Sequence, residues 1–324
     1  MLKRLLGSTA LIAGTLTGLA AFGQASYPVK PVTLMVAYPP GGSVELLARA
    51  TGNEFARLWG QPVIVESRPG AGGVAATAAI ARSAPDGYTL LLTDQGPLTS
   101  IPFLQADLPY DPREIAAVTG LVITGALIVV PANFPASTIG EFIAAAKEKP
   151  GALNFGSWGV AGVNHLEAEQ FAAFSGISLT HVPYKGAAEL TRALLSNDVQ
   201  IAFHSAGVVV AQIKRGQLKA LAYTGAARAP LLTEVPTLAE AGLPGFETNR
   251  WLGIVGPAAM PRAIIQKIAT DSQKVLAQPA FVDKQVIGMG FEVYGLPPES
   301  FAKLIEDTRR TTGALLKRLK LQVN

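Results

Sequence analysis

The chain has 324 residues, of which 49% are hydrophobic and 15% are charged, against roughly 25% charged residues in an average domain. This composition excludes an intrinsically disordered chain, and the length allows two domains of ordinary size. Cysteine is absent, which excludes disulfides, thiolate metal ligands and a cysteine nucleophile. The formal net charge of +4 is spread along the chain without a basic block, so nucleic acid is not an expected partner.

The first 25 residues are predicted to be a cleavable signal peptide. MLKR carries two positive charges, an uncharged apolar run follows, and GQAS offers a small-x-small cleavage site after Ala25. A membrane anchor is the alternative, but the glycine and threonine content of the run favours cleavage. Removal of Lys3 and Arg4 changes the net charge from +4 to 4 − 2 = +2. We therefore expect an exported, periplasmic protein that is not a lipoprotein.

Short apolar runs alternate with helical patterns along the whole mature chain. VTLMVA, PVIVE and YTLLLT are predicted strands, and an alanine-rich helix is predicted near residues 73–83. The helix after the first strand should bury one face, formed by Val44, Leu47, Ala48, Thr51, Phe55 and Leu58.

The same alternation recurs beyond residue 126. ALIVVP, ALNFGS, ISLTHVPY, VQIAFH, LKALAYTG and WLGIVGP are predicted strands. Thr138 and Glu141 form a predicted capping box, and another helix should begin at about Val163. Repeated strand–helix units predict an α/β fold with parallel-rich sheets that helices cover on both faces. The number of elements favours two lobes over a single sheet.

Three glycine-rich turns lie between predicted strands and helices. In PPGGSVE, Gly41 and Gly42 allow close approach of a ligand to the backbone, and Ser43 suits a helix N-cap. The free N–H groups of the following helical turn would then favour an anion. The other two turns are GSWGVAG and SRPGAGG. The alternative is that each turn only permits a tight connection, and spacing alone does not show whether the turns face each other.

The sequence gives little evidence for a catalytic site or a cofactor site. GAGGVA followed by Asp94 is similar to a dinucleotide site, but Pro69 interrupts the strand-to-turn geometry that such a site needs. Neither G-x-S-x-G nor H-E-x-x-H occurs. His165 and Glu169 have the spacing of metal ligands on a helix, although a capping or core histidine is favoured. We predict neither an enzyme nor a cofactor nor a metal site.

Seven motifs, taken in order, resemble one known family. They are YPPGGSVELLAR, GQPVIVESRPGAGG, APDGYTLLL, LPYDP, HVPYKG, RGQLKALA and EVPTLAEAGLPGFE. The family is that of the substrate-binding proteins of tripartite tricarboxylate transporters, also called the Bug or TctC family. The resemblance extends from about Tyr27 to the C-terminus.

The resemblance implies a periplasmic-binding-protein fold of type II, the two-lobed Venus flytrap. Lobe 1 would comprise residues 26–126 and 247–324, and lobe 2 residues 127–246, with two crossings between them. Such receptors are monomers that close around a small carboxylate and deliver it to the membrane permease subunits of the transporter. An exported protein that presents its ligand to a membrane sensor is the second candidate, and an NAD-dependent oxidoreductase is less favoured.

The resemblance also implies ligand contacts in two facing loops. The implied ligand-binding residues are Tyr38, Pro40, Gly41, Gly42, Ser43, Glu45, Ser157, Trp158, Gly159, Ala161, Gly162, His165, His204 and Trp251. Several depart from the family pattern: Trp158 and Gly162 replace serines, Ala161 replaces a glycine, Glu45 stands for Asp, and His204 stands for Asp. We hypothesise that His204 weakens any preference for amino-bearing ligands and favours a plain or aromatic carboxylate. Trp251 either lines the cleft or packs the hinge.

Overall fold

A computed structural model describes residues 27–160, 162–246 and 248–319. The predicted signal peptide, Ala161 and Glu247 lie outside the described residues. The strands are β1 (Val32–Val36), β2 (Val63–Ser67), β3 (Thr89–Asp94), β4 (Ile115–Thr124), β5 (Leu127–Pro131), β6 (Asn154–Ser157), β7 (Thr180–Pro183), β8 (Ile201–His204), β9 (Leu218–Tyr223), β10 (Arg250–Pro257) and β11 (Glu292–Leu296). The helices are α1 (Ser43–Trp59), α2 (Val74–Ala81), α3 (Gly96–Thr99), α4 (Ile101–Leu104), α5 (Ile139–Glu148), α6 (Val163–Ser175), α7 (Ala187–Leu195), α8 (Ala206–Lys214), α9 (Arg262–Leu276), α10 (Pro279–Phe281) and α11 (Pro298–Leu319).

The strands form two mixed sheets, which confirms the predicted two-lobed α/β architecture. Among the described strands, five of the nine pairings are antiparallel, so the sheets are less rich in parallel pairs than predicted. The sheet of lobe 1 has the order β11-β4-β10-β3-β1-β2, and that of lobe 2 the order β7-β6-β8-β5-β9. β1 runs parallel to β2 and β3, and β6 runs parallel to β7 and β8, as strand–helix units require. β10 and β5 are antiparallel to their neighbours because they are the strands through which the chain returns to lobe 1 and enters lobe 2.

Both crossings between the lobes form hydrogen bonds with Tyr223 or Thr224, where β9 ends. The N–H of Gly125, just after β4, donates to the hydroxyl of Tyr223 at 2.6 Å, and that of Ala126 donates to Thr224 Oγ1 at 2.8 Å. On the returning segment, the N–H of Thr248 donates to the carbonyl of Thr224 at 3.1 Å. Both crossings therefore share the end of β9 as a support.

Helix α1 shows why the predicted apolar face forms and where it stops. Leu47, Ala48 and Phe55 are buried against the sheet, as predicted, but Leu58 is 43% exposed. The last turn is instead held by Trp59, whose ring stacks on Phe55 at 4.4 Å and whose Nε1 donates to Asp271 at 2.8 Å. The capping box at the start of α5 is confirmed. In the part of the chain described, none of the helices combines the length and the apolar character needed to cross a bilayer.

Gly253 in β10 lies where the lobe 1 sheet meets α11, and we expect its replacement to destabilise the fold. A Cβ there would lie 2.7 Å from the carbonyl oxygen of Thr119 and would collide with the Phe301 ring. Gly253→Ala should lower the free energy of unfolding by about 1–3 kcal/mol in urea titrations. The control is Gly140→Ala in α5, where a Cβ meets nothing within 4 Å and helix propensity favours alanine by up to about 1 kcal/mol. Equal effects of the two substitutions would contradict the packing described here.

Candidate functional site

A cavity of about 590 Å³ lies between the two lobes. From lobe 1 it is lined by residues 38–44, Asp94, Thr124, Arg250, Leu252 and Phe291. From lobe 2 it is lined by Trp158, residues 185–189, Arg192, Ser205 and Val208. A neighbouring cavity of about 670 Å³ shares Tyr38, Pro39, Trp158 and Lys185 with the first, and the third glycine turn contributes Pro69, Gly70, Gly72 and Gly73 to its wall. The interlobe cleft thus has two chambers.

The start of α1 presents bare backbone to the first chamber. Pro39 and Pro40 have no N–H, Gly41 has a φ of +86°, and Gly42 is the extended N-cap residue. None of the described side chains caps this N-terminus, and Gly41, Gly42 and Ser43 all line the cavity. The N–H groups of a first helical turn lack an intrahelical acceptor and carry the positive end of the helix dipole. This end of the cavity is therefore suited to an anion.

Glu45 supports this loop from behind instead of facing the cavity. Its side chain is buried, and Oε2 accepts a hydrogen bond from the N–H of Gly41 at 3.4 Å. The other carboxylate oxygen, Oε1, accepts from the Arg49 guanidinium one helical turn along. Glu45 therefore fixes the shape of the turn that presents Gly42 and Ser43.

The facing wall of the chamber contains the start of α7. Gly186, Ala187 and Ala188 line the cavity, and no side chain caps the N-terminus at Gly186. The carboxylate of Glu189 accepts a hydrogen bond from the N–H of Lys185 at 3.0 Å, which closes the loop before the helix. The sequence predicts this helix, but the predicted ligand contacts of lobe 2 lie in the GSWGVAG loop before α6, and the start of α7 is not among them. Its signal was the small-residue run KGAA at a strand-to-helix turn.

The GSWGVAG loop contributes mainly Trp158. Its indole lines both chambers, and Gly159 lines the second. Ser157 is buried, and its hydroxyl contacts His181 Nε2 at 2.7 Å and the carbonyl of Gly159 at 2.9 Å. The N–H of Gly162 donates to the same carbonyl at 3.3 Å. Ser157 and Gly162 line neither chamber, because their polar groups hold the loop together.

The histidines lie behind the cavity wall. His165 stacks on His181 with ring centroids 3.8 Å apart and lies 3.7 Å from Glu169. His204 is fully buried, with Nε2 3.2 Å from Thr191 Oγ1 and its ring against the edge of Trp158. Burial lowers the pKa of His204 to about 3, with the charge of Arg250 as a further cause, and burial lowers that of His181 to about 4. Among the described residues, His, Asp and Glu form no group suited to a metal ion.

Trp251 packs in the core of lobe 1 and does not line the cavity. It is 2% exposed, and its ring meets that of Phe301 edge-on at 5.0 Å. Successive residues of a strand face opposite sides of the sheet, so the cavity receives Arg250 and Leu252 instead.

The floor of the cavity contains charged groups that the sequence analysis did not assign to the ligand site. Arg250 and Glu167 are 5% and 3% exposed, and Arg250 Nε donates to both carboxylate oxygens of Glu167 at 2.8 and 2.9 Å. The Arg250 guanidinium also lies 5.1 Å from the centre of the Trp158 ring. Asp94 is 7% exposed, and burial raises its pKa, although bonds from Tyr38 and the Gly96 N–H act in the opposite direction. The sequence feature that indicates Asp94 and Arg250 is their position at one end of an apolar run, YTLLLTD and RWLGIVGP respectively.

Comparisons with known proteins agree on one family. A family model described as "Tripartite tricarboxylate transporter family receptor" matches residues 47–321. A UPF0065 protein of Pseudomonas sp. (strain P51) is 32% identical over 99% of this chain and 96% of its own length.

Solved structures show the same similarity in three dimensions. A Rhodopseudomonas palustris protein solved with adipate is 27% identical, with a TM-score of 0.87 over 92% of this chain and all of its own. MatC of the same species, solved with bound malate, is also 27% identical, with a TM-score of 0.82 over 90% of this chain and all of its own.

His204 should make the fold sensitive to mild acid. Its folded-state pKa of about 3 lies below the unfolded value of 6.5, so the unfolded chain takes up the proton first and stability falls as the pH drops below 6.5. Between pH 7 and pH 5 this one group should remove about 2 kcal/mol. His204→Gln keeps a polar partner for Thr191 but has no titrating group. From pH 7 to pH 5, we expect its free energy of unfolding in urea titrations to fall by about 2 kcal/mol less than that of the parent protein. A pH-independent difference between the two proteins would contradict a buried, neutral His204.

Proposed function

The chain belongs to the tripartite tricarboxylate transporter receptor family, and from that premise we propose that it captures a small organic carboxylate in the interlobe cavity and passes it to the permease of such a transporter. The family consists of solute receptors and is not an enzyme class. The role proposed here needs no cofactor and no metal ion. We propose that the receptor acts in the periplasm as a monomer.

The observation that carries this proposal is the pair of uncapped helix N-termini at one cavity. The starts of α1 and α7 line it from different lobes, so both direct the positive ends of their helix dipoles to the same cavity. A hydrogen bond to a charged group contributes about 1.5–3 kcal/mol, and a helix N-terminus about 0.3–1 kcal/mol. A few such contacts are enough for micromolar binding, about −8 kcal/mol, once ordering costs are subtracted.

The relatives support a carboxylate as the ligand. Two structural neighbours were solved with adipate and with malate, and both molecules carry carboxylate groups. In this chain the carboxylate would lie at Gly42 and Ser43, and the apolar surfaces of Trp158, Leu252 and Phe291 would cover the body of the ligand. Lys185 and Arg192 add positive charge to the lobe 2 side of the same cavity.

The arrangement of the chain supports the remaining parts of the proposal. β4 ends at Thr124 and β5 begins at Leu127, and β10 begins at Arg250. We propose that the lobes divide at residues 126/127 and 246/247, with closure around the two crossings. We further propose that residues 1–25 are removed on export, which lies outside the described residues.

Gly42→Val tests the proposed anion site. The φ of Gly42 is −84°, and a Cβ there would approach only the Pro39 carbonyl oxygen, at 3.8 Å, so the fold should tolerate the change. The branched side chain would stand between the ligand and the first-turn N–H groups. For any acid from a carboxylate panel that raises the Tm of the leaderless parent, we expect at least a 100-fold loss of affinity in calorimetry.

The matched control for this experiment is Gly140→Val. Gly140 is exposed in α5 and does not line the cavity, and nothing lies within 4 Å of its Cβ position. The Gly140→Val variant should bind the same acid with the affinity of the parent protein. Parental affinity in Gly42→Val would show that the loop is only a connection, and the proposed site would have to be abandoned.

A further inference from the structure

The cavity floor has polar side chains on three adjacent strands of the lobe 1 sheet. Thr124 of β4 pairs with Arg250 of β10, and Leu252, two residues along β10, pairs with Asp94 of β3. Paired residues project to the same face, as do residues two apart on one strand. Asp94 and Arg250 are therefore diagonal neighbours on one face, which places their Cα atoms about 7–8 Å apart. All four residues line the cavity.

One amino group of the Arg250 guanidinium, Nη1, forms weaker hydrogen bonds than the other two nitrogens. Nε and Nη2 are directed to Glu167, and Nη2 also donates to the carbonyl of Phe203 at 3.4 Å. Within the described residues, the hydrogen bond of Nη1 is a long one of 3.5 Å to the hydroxyl of Ser205, which lines the same cavity. A guanidinium has five N–H donors in a fixed plane, so the Nη1 edge remains to donate to a group in the cavity.

Asp94 is the matching acceptor on the neighbouring strand. Its Oδ1 accepts a hydrogen bond from the N–H of Gly96 at 3.0 Å, and the Tyr38 hydroxyl also bonds to its carboxyl group. A carboxylate offers about four acceptor positions, so two such bonds leave capacity for a donor in the cavity.

The charges of the floor decide which chemical group fits between these two residues. Glu167 already neutralises Arg250, and Asp94 adds a further acidic group beside them. A second carboxylate of a ligand would approach both acidic groups, and like charges in a buried site repel strongly. A neutral hydroxyl avoids this repulsion, because it can accept from Arg250 Nη1 and donate to Asp94 in one position.

We propose that Asp94 and Arg250 determine ligand specificity by binding a neutral hydroxyl group at the opposite end of the ligand from its carboxylate. This inference rests on the proposed function, since it takes the carboxylate at the start of α1 as given. The receptor would then prefer hydroxy acids to the matched unsubstituted acids and to the matched dicarboxylates. Trp158, which stacks on the Arg250 guanidinium, would cover the body between the two ends.

Two matched series of acids test this preference by calorimetry on the leaderless protein. One series is 4-hydroxybenzoate, benzoate and terephthalate, and the other is 6-hydroxyhexanoate, hexanoate and adipate. In at least one series the hydroxy acid should bind at least 10-fold more tightly than both of its partners. If acids bind but a dicarboxylate or an unsubstituted acid is the tightest in both series, the inference is overturned and the proposed function stands. If no acid binds, the proposed function fails and this inference falls with it.

The variant Asp94→Asn tests whether Asp94 is responsible for the preference for hydroxy acids. The variant keeps the shape of the side chain but replaces one acceptor oxygen with an amide NH2 group, so the ratio of hydroxy-acid to dicarboxylate affinity should fall at least 10-fold. Asp283→Asn makes the same chemical change at an exposed residue that does not line the cavity, and it should leave the ratio unchanged. An unchanged ratio in Asp94→Asn would overturn the role of Asp94. Should that variant not fold, the order of affinities in the parent protein decides the proposal.

Discussion

Main-chain N–H groups at the start of α1 have no intrahelical acceptor, and the site depends on that constraint. The preceding prolines donate nothing, the N-cap is a glycine, and no side chain caps the helix. Glu45 accepts hydrogen bonds from the N–H of Gly41 and from Arg49, which shapes the turn from outside the cavity. The chain thus leaves N–H donors directed at the cavity side, where the proposed anion would bind.

The floor of the cavity shows how the two lobes share one site. Arg250 belongs to the strand by which the chain returns to lobe 1, but its partners Glu167 and Phe203 belong to lobe 2. A buried ion pair of this kind contributes little net stability, whereas loss of one partner leaves a buried charge that costs about 3–5 kcal/mol. The guanidinium that would face the proposed ligand is therefore held in place by groups of the opposite lobe.

Much of the fold follows from local patterns in the sequence. The strand–helix alternation predicted two α/β lobes, and the capping box at Thr138 gave the start of α5 correctly. The predicted burial of Leu58 is wrong. The end of α1 is held instead by the hydrogen bond between Trp59 and Asp271, which lie 212 positions apart in the sequence. The antiparallel placement of β10 was also not predictable from local pattern, since it depends on where the returning chain inserts into the sheet.

The site was less predictable than the fold. The glycine turn at residues 41–43 could be predicted as a candidate site because its chemistry is local, whereas the start of α7, Asp94 and Arg250 are brought to the cavity by the tertiary arrangement. A crystal structure of the leaderless protein with the acid that raises its Tm most would test the central claim directly. We expect one carboxylate of that acid to lie about 3 Å from the N–H groups of Ser43 and Val44. A ligand bound in the cleft with its carboxylate on side chains alone, and with those N–H groups still bonded to water, would contradict it.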